Sequence, residues 1–405
     1  EALAACDLAL GADPQSWILH NNRGVLLDEM GRTDEALACF ERSLKINPNN
    51  PDAFQNLGTA LVALGRGNEV IAKFNDTLRR NPDDVDVLNC KGAVQIAMRA
   101  FDGALESFSR AATVDPDSSI SQFHRAFPLL ALGRLAEGFE AYEWRRRGAK
   151  PFVPLPLFPQ PELAAGQDPK GKRILLYGEQ GMGDVIQFAR FARSFVEKGA
   201  DVVLAAYPAL APLFATLGPN IDVAPANEPL PAFDLTCPLM SAPYKLGTTI
   251  ENIPARPYLS APKGLADAWH ARLAERAPGL RVGLAWSGNP QYANDWTRSI
   301  AFERLRTILG VADVSYVCVQ KDLRTSDEAS FAASGVLDVR TLLTDFAETA
   351  ALVDQLDVVI TVDTALAHLA GPGAHGHRPA LRDRSLQDLC PVRLRGDRRL
   401  RGAGG

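Results

Sequence analysis

The chain is poor in the features that would tie it to a metal, a bilayer or a polyanion. Six of its 405 residues are cysteine (Cys6, Cys39, Cys90, Cys237, Cys318 and Cys390), and no two form a CxxC pair or stand at a histidine spacing suited to zinc. A disulfide framework and a structural zinc site are therefore excluded, and a reducing compartment, the cytoplasm, is expected. The longest apolar stretch, VVLAAYPALAPLFATLG (202–218), is broken by Pro208 and Pro212 and is too short for a bilayer span, so no transmembrane segment is expected. Positive charge is not in excess either: the formal net charge is -5, which gives no field for binding nucleic acid by counterion release. The chain opens EALAAC without a methionine, so the lack of a targeting segment carries no information. What is present, 405 residues with 46% hydrophobic and 22% charged content, is globular and too long for one core.

The first third is periodic. Pro14, Pro48, Pro82 and Pro116 are spaced by 34 residues, as are Gly24, Gly58 and Gly92, with Ala126 in fourth place. Phe40, Phe74, Phe108 and Tyr142 keep the same step, and so do Gly31, Gly65 and Gly133, with Arg99 as the exception. Each unit reads as two amphipathic helices joined at a glycine turn, with proline opening the next unit. Small residues in the Gly24 column allow close helix contact, and the aromatic column reads as interhelix core. On these columns, and on Glu35-Ala36-Leu37...Phe40, residues 1–147 resemble the tetratricopeptide repeat family. The resemblance implies a helical-repeat solenoid whose groove receives a peptide or protein. Glu1-Ala2-Leu3 aligns with Glu35-Ala36-Leu37, so the expectation is a cut first repeat with others before it.

From Gly148 the composition turns to KPFVPLPLFPQPELAAGQDPKGK, whose six prolines forbid a continuous helix, so 148–171 reads as a linker. Beyond it, apolar runs alternate with helical stretches: RILLY (173–177), a helix over VIQFARFARSFVEKG, DVVLAA, then RVGLAW, SYVCVQ (315–320) and DVVITV (357–362). That rhythm predicts two Rossmann-like α/β halves, 172–265 and 266–371. Ligands of such sheets sit at the carboxyl ends of strands, which selects the loops GEQGMGD, SGNPQYANDWTRS and DTALAH.

In GEQGMGD, Gly181 and Gly183 let the backbone turn tightly, but the spacing is not GxGxxG, which removes a dinucleotide-dependent oxidoreductase from contention. Glu179 and Asp184 are hostile to a pyrophosphate at this entrance. Asp184 suits either a helix cap or a base facing a hydroxyl acceptor. In DTALAH, Asp363 or Thr364 can cap a helix whose first N–H groups face an anion, with His368 one turn in. Ser287 and Asn289 follow a strand end, and Arg298 offers a planar fork for phosphate or is a surface arginine.

Together GMGDVIQFAR, WSGNP...NDWTRSI and ITVDTALAHLAG resemble glycosyltransferases related to the lipopolysaccharide heptosyltransferases, in the subset with a tetratricopeptide arm; the resemblance covers about residues 172–371. It implies a GT-B arrangement with the acceptor on the first half and a nucleotide-diphosphate sugar on the second. It further implies no metal and no cofactor, Asp184 as general base, an acceptor loop of Glu179, Gly181 and Gly183, and donor contacts from Ser287, Asn289, Arg298, Asp363, Thr364 and His368. Ala365 departs from the glycine common in heptosyltransferases. The alternative is a non-catalytic repeat scaffold carrying a degenerate glycosyltransferase domain.

The last 35 residues break the pattern, with eight arginines, seven glycines, three prolines and no apolar segment of strand length. Residues 372–405 read as a disordered tail or a shifted reading frame. On that reading the second half is incomplete and the activity of this chain is in doubt. His375 and His377 form an HxH pair with nothing nearby to complete a metal site.

Overall fold

The computed structural model describes residues 2–48, 50–147, 156–291, 295, 298–371 and 378–379. It divides into two compact units, Glu1–Val153 and Pro154–Gly405.

Unit 1 is helical: α1 Ala2–Ala12, α2 Trp17–Glu29, α3 Thr33–Ile46, α4 Pro51–Ala63, α5 Gly67–Arg80, α6 Val85–Ala97, α7 Phe101–Val114, α8 Ser119–His124, α9 Ala126–Ala131 and α10 Leu135–Tyr142. The turns inside the repeats are left-handed at Gly31, Gly65 and Gly133 (φ 74°, 74° and 76°). Arg99 adopts the same conformation (φ 60°) despite its side chain. The periodic prolines do not open the helices; each lies two residues ahead of an N-cap in the connecting loop. The caps form a further column of the same period, in which Ser16, Asn50, Asp84 and Ser118 accept from the backbone N–H of Leu19, Asp52, Val87 and Ser121.

The aromatic column is core: Phe40, Phe74 and Phe108 are fully buried. A Cβ on Gly92 would sit 2.7 Å from the Phe108 ring, and one on Gly24 would enter the Phe40 ring, so both positions of this column need glycine for the same close approach. In the fourth repeat the first helix is split at Arg125 into α8 and α9. Pro128 cannot donate to the His124 carbonyl and crowds it, which breaks the ladder there. The unit ends in a 3-10 turn, Glu143–Arg146, where the fully buried Arg145 donates to Glu143 Oε1 at 2.8 Å and to the Tyr142 carbonyl at 3.1 Å.

Unit 2 holds two parallel four-stranded sheets. The first half contains β1 Arg173–Tyr177, α11 Met182–Phe188, α12 Arg190–Glu197, β2 Asp201–Ala206, α13 Ala211–Phe214, β3 Ile221–Pro225, β4 Leu235–Pro238 and α14 Ala242–Lys245, with strand order β3-β2-β1-β4. The single helix expected over 185–199 is interrupted at Ala189. The second half contains α15 Lys263–Arg276, β5 Leu280–Ala285, α16 Phe302–Leu305, β6 Val314–Cys318, α17 Thr325–Ala332, α18 Phe346–Val353, β7 Val358–Thr361, α19 Ala365–Ala370 and β8 Arg378–Pro379, ordered β6-β5-β7-β8. Central strands are apolar on both faces because helices cover both: Ile174, Leu175, Leu176, Val203, Leu204 and Leu284 are each fully buried.

Part of the proline-rich 148–171 segment joins this unit. Glu162 bridges to Thr236 of β4, Leu163 is buried, and Glu162 pairs with Lys245 at 2.8 Å. Of the 372–405 tail only Arg378–Pro379 are described, paired in parallel with Val358–Val359; the remainder, including His375 and His377, lies outside the described residues. Among the described residues no helix is long and apolar enough to cross a membrane.

Candidate functional site

The three selected loops follow the carboxyl ends of β1, β5 and β7, and two of them touch. Helix α11 begins at Gly181 and packs its entrance on the entrance of α19. A Cβ built on Gly183 would lie 2.9 Å from His368 Cδ2, 3.3 Å from Ala365 Cα and 3.5 Å from Ala365 N. Gly183, Asp184, Ala365 and His368, from two different sheets, therefore share one place. Tyr207, just past β2, donates from its hydroxyl to the Gln180 carbonyl at 2.8 Å and holds the β1 loop. Glu179 lies half-buried in that loop, and Gly181 is exposed at the N-cap.

Asp184 occupies the third position of α11, and the backbone N–H groups of Gly181 and of Asp184 itself favour its ionised form. That is the position from which a carboxylate reaches back toward the N-cap N–H in a capping box. Burial, and then the negative charge of Asp363, push its carboxyl above the ordinary range, while the two N–H bonds pull the other way. A half-buried carboxylate with a raised pKa at the mouth of a helix fits proton acceptance from a hydroxyl.

Thr364 stands at the N-cap of α19 but makes no side-chain cap bond, contrary to expectation; its backbone is extended and its carbonyl accepts the Ala367 N–H at 2.9 Å. Asp363 and His368 are both half-buried.

The β5 loop is organised by residues that sequence reasoning passed over. Gln320, directly after β6, accepts from the N–H of Trp286 and of Ser287, both at 2.9 Å, and donates to Ser287 Oγ at 2.7 Å. Those bonds fix which end of its amide faces the strand. Asp295, only 3% exposed, accepts from Arg298 Nε at 2.9 Å, from Ser299 Oγ at 2.8 Å and from Arg324 Nη2. Arg298 also donates through Nη1 to the Asp363 carbonyl at 2.9 Å, which ties the β5 loop to the turn before α19. The expected phosphate fork is thus engaged with a buried carboxylate and a backbone oxygen. Asn289 is exposed and accepts from the Gln291 N–H at 2.9 Å, closing a local turn. Gln320 was within reach of the strand-end rule, since it follows SYVCV; Asp295 sat inside a quoted loop without a partner to mark it. Among the described residues no group of three His, Cys, Asp or Glu side chains could hold a metal ion.

Tetratricopeptide repeat family models match residues 17–50 and 39–68, across the helix pairs and glycine turns described above. The N-terminal region carries tetratricopeptide repeats. Protein FlbA of Caulobacter vibrioides (strain ATCC 19089 / CIP 103742 / CB 15) is 32% identical over 295 residues, covering 66% of this chain and 48% of FlbA. The chain thus spans about half the length of that curated relative. The matched share exceeds the repeat unit, so the likeness takes in part of the α/β unit as well. Among solved structures, the chain is similar to YrrB, a tetratricopeptide protein with an unusual peptide-binding site (21% identity, 35% of this chain and 74% of that one, TM-score 0.27). It is also similar to TTC0263, a thermophilic tetratricopeptide protein of Thermus thermophilus (23% identity, 32% and 72%, TM-score 0.28).

Proposed function

We propose that the α/β unit transfers a sugar from a nucleotide-diphosphate sugar to a hydroxyl, and that the tetratricopeptide repeats recruit the protein or glycan acceptor. The observation that carries this reading is the meeting of the β1 and β7 loops, which sets Gly183 against Ala365 and His368 and brings the adjoining Asp184 carboxylate within electrostatic reach of Asp363. In GT-B terms the first sheet presents the acceptor and the second the donor. The acceptor oxygen bonds to the anomeric carbon as its proton passes to Asp184, and the bond from that carbon to the diphosphate oxygen breaks with its electron pair leaving on the diphosphate. Arg298 and His368 place positive or proton-donating groups beside the α19 entrance, where the leaving group's charge develops. Ser287, Asn289 and Thr364 line the donor side, and Glu179, Gly181 and Gly183 form the acceptor loop. Gln320 and Asp295 hold that arrangement without touching substrate.

Asp184→Asn keeps a side-chain oxygen for the Gly181 N–H but cannot take the proton. With a panel of labelled nucleotide sugars, donor binding should persist in this variant and transfer should fall by about 100-fold or more, the scale of a lost general base. Unchanged transfer removes the base role. The second reading, a scaffold whose repeats bind partners and whose α/β unit is inert, is favoured by the repeats themselves and predicts that neither form binds any donor.

A further inference from the structure

The point where α11 meets α19 is closed by a residue with no side chain. We infer that Gly183 is a positioning residue: only hydrogen at this Cα lets the α11 entrance settle onto the first turn of α19, and that closeness holds the adjoining Asp184 at the junction of the two helices. The inference rests on the reading of Asp184 as the base only for its catalytic meaning, since the geometry stands by itself.

Three observations carry it. A Cβ on Gly183 would reach His368 Cδ2 at 2.9 Å, a separation that real Cβ atoms do not tolerate, and Ala365 Cα at 3.3 Å, where backbone must give by a few tenths of an ångström; Ala365 N, at 3.5 Å, would be in ordinary contact. Its φ is not in the left-handed region, so backbone conformation does not demand glycine here. The neighbouring Gly181 is different: a Cβ there would meet only Asp184 Oδ2, at an ordinary 3.4 Å, and nothing from α19. The requirement at 183 thus comes from the opposite half of the unit.

The groups facing Asp184 across this contact are Asp363, before α19, and His368 on it; Arg298 reaches the same turn through the Asp363 carbonyl. A methyl at 183 lifts α11 from α19, exposes Asp184 to water and separates it from Asp363, so both causes of its raised pKa weaken together. Removing the His368 ring restores the sharpest of the lost space. Gly183→Ala and His368→Ala should therefore compensate one another.

The test is a carboxyl 13C NMR titration of the full chain labelled at aspartate Cγ, with the Asp184 signal assigned by its loss in Asp184→Asn. In the unaltered protein Asp184 should titrate above the other aspartates. Gly183→Ala should bring it down toward them, Gly183→Ala/His368→Ala should move it back up, and Gly181→Ala should leave it in place. A Gly183→Ala protein that is folded by circular dichroism and titrates as the unaltered protein overturns the inference. So does a shift that the His368→Ala change fails to reverse. If Gly183→Ala does not fold, the double variant must, and must titrate high; its failure to do so also overturns the inference. No substrate enters this measurement, so absence of donor binding would end the sugar-transfer reading and leave the role of Gly183 standing.

Discussion

Asp184 stands in the first turn of α11, where we propose that it takes the acceptor proton. Because its folded pKa is raised, the native protein holds a proton there over a window in which the unfolded chain, with an aspartate pKa of about 3.9, has released it. The favourable contribution of the protonated form is complete below that window and disappears as pH rises through the raised value. Asp184→Asn, neutral at every pH, should therefore raise the melting temperature of the full chain at pH 7 and have little effect near pH 4; the reverse order in scanning calorimetry would contradict this. Glu143 presents the opposite case, a carboxylate kept in place for its charge. Its partner Arg145 has no exposed surface, so Glu143→Ala should cost about 3–5 kcal/mol in urea unfolding by leaving a buried charge uncompensated. Truncating the exposed Glu35, paired with Arg32 at 2.7 Å, should leave the urea midpoint almost unchanged, because solvent screens that pair. Which arginine is structural is not legible in the sequence: Arg298 reads as a phosphate fork or a surface arginine, nothing marks Arg145, and only the fold brings Asp295 and Glu143 onto them.

At the scale of elements the repeats were legible because periodicity reports the same packing four times over. In the first and third repeats the small-residue column meets an aromatic ring, Gly24 with Phe40 and Gly92 with Phe108, while Gly58 instead packs on Val94. The capping column of Ser16, Asn50, Asp84 and Ser118 was equally periodic and passed over because four chemically different residues share one task, acceptance of an N–H. The third repeat is the one whose turn departs from the pattern. Arg99 adopts a left-handed backbone at a cost of roughly 1–2 kcal/mol, so Arg99→Gly should stabilise the repeats by about 0.5–1 kcal/mol after the added freedom of the unfolded chain is subtracted. A loss of stability in urea unfolding would mean that the Arg99 side chain makes contacts of greater worth. In the α/β unit, β1, β2, β5, β6 and β7 were readable as apolar runs, as parallel strands buried on both faces must be. β3 and β4 were not, since each ends in proline and carries a polar residue, Asp222 or Thr236, within its short run.

At the scale of the whole molecule, a periodic helical unit and a two-sheet α/β unit occupy one chain that spans about half of FlbA. Strand-end placement of the three loops could be read from the sequence, because parallel α/β units send their loops to one edge. The contact between the α11 and α19 entrances could not, since it joins residues 183 and 365 across two sheets and no local pattern encodes it. The central claim is that this contact marks a nucleotide-diphosphate site. Hydrogen–deuterium exchange of the full chain, with and without millimolar uridine, guanosine, adenosine or cytidine diphosphates, tests it most directly. One of them should slow exchange in peptides spanning 178–190, 286–300 and 362–371 together and leave the repeat unit unchanged; protection in none of the three, or confined to residues elsewhere in the chain, would contradict the account.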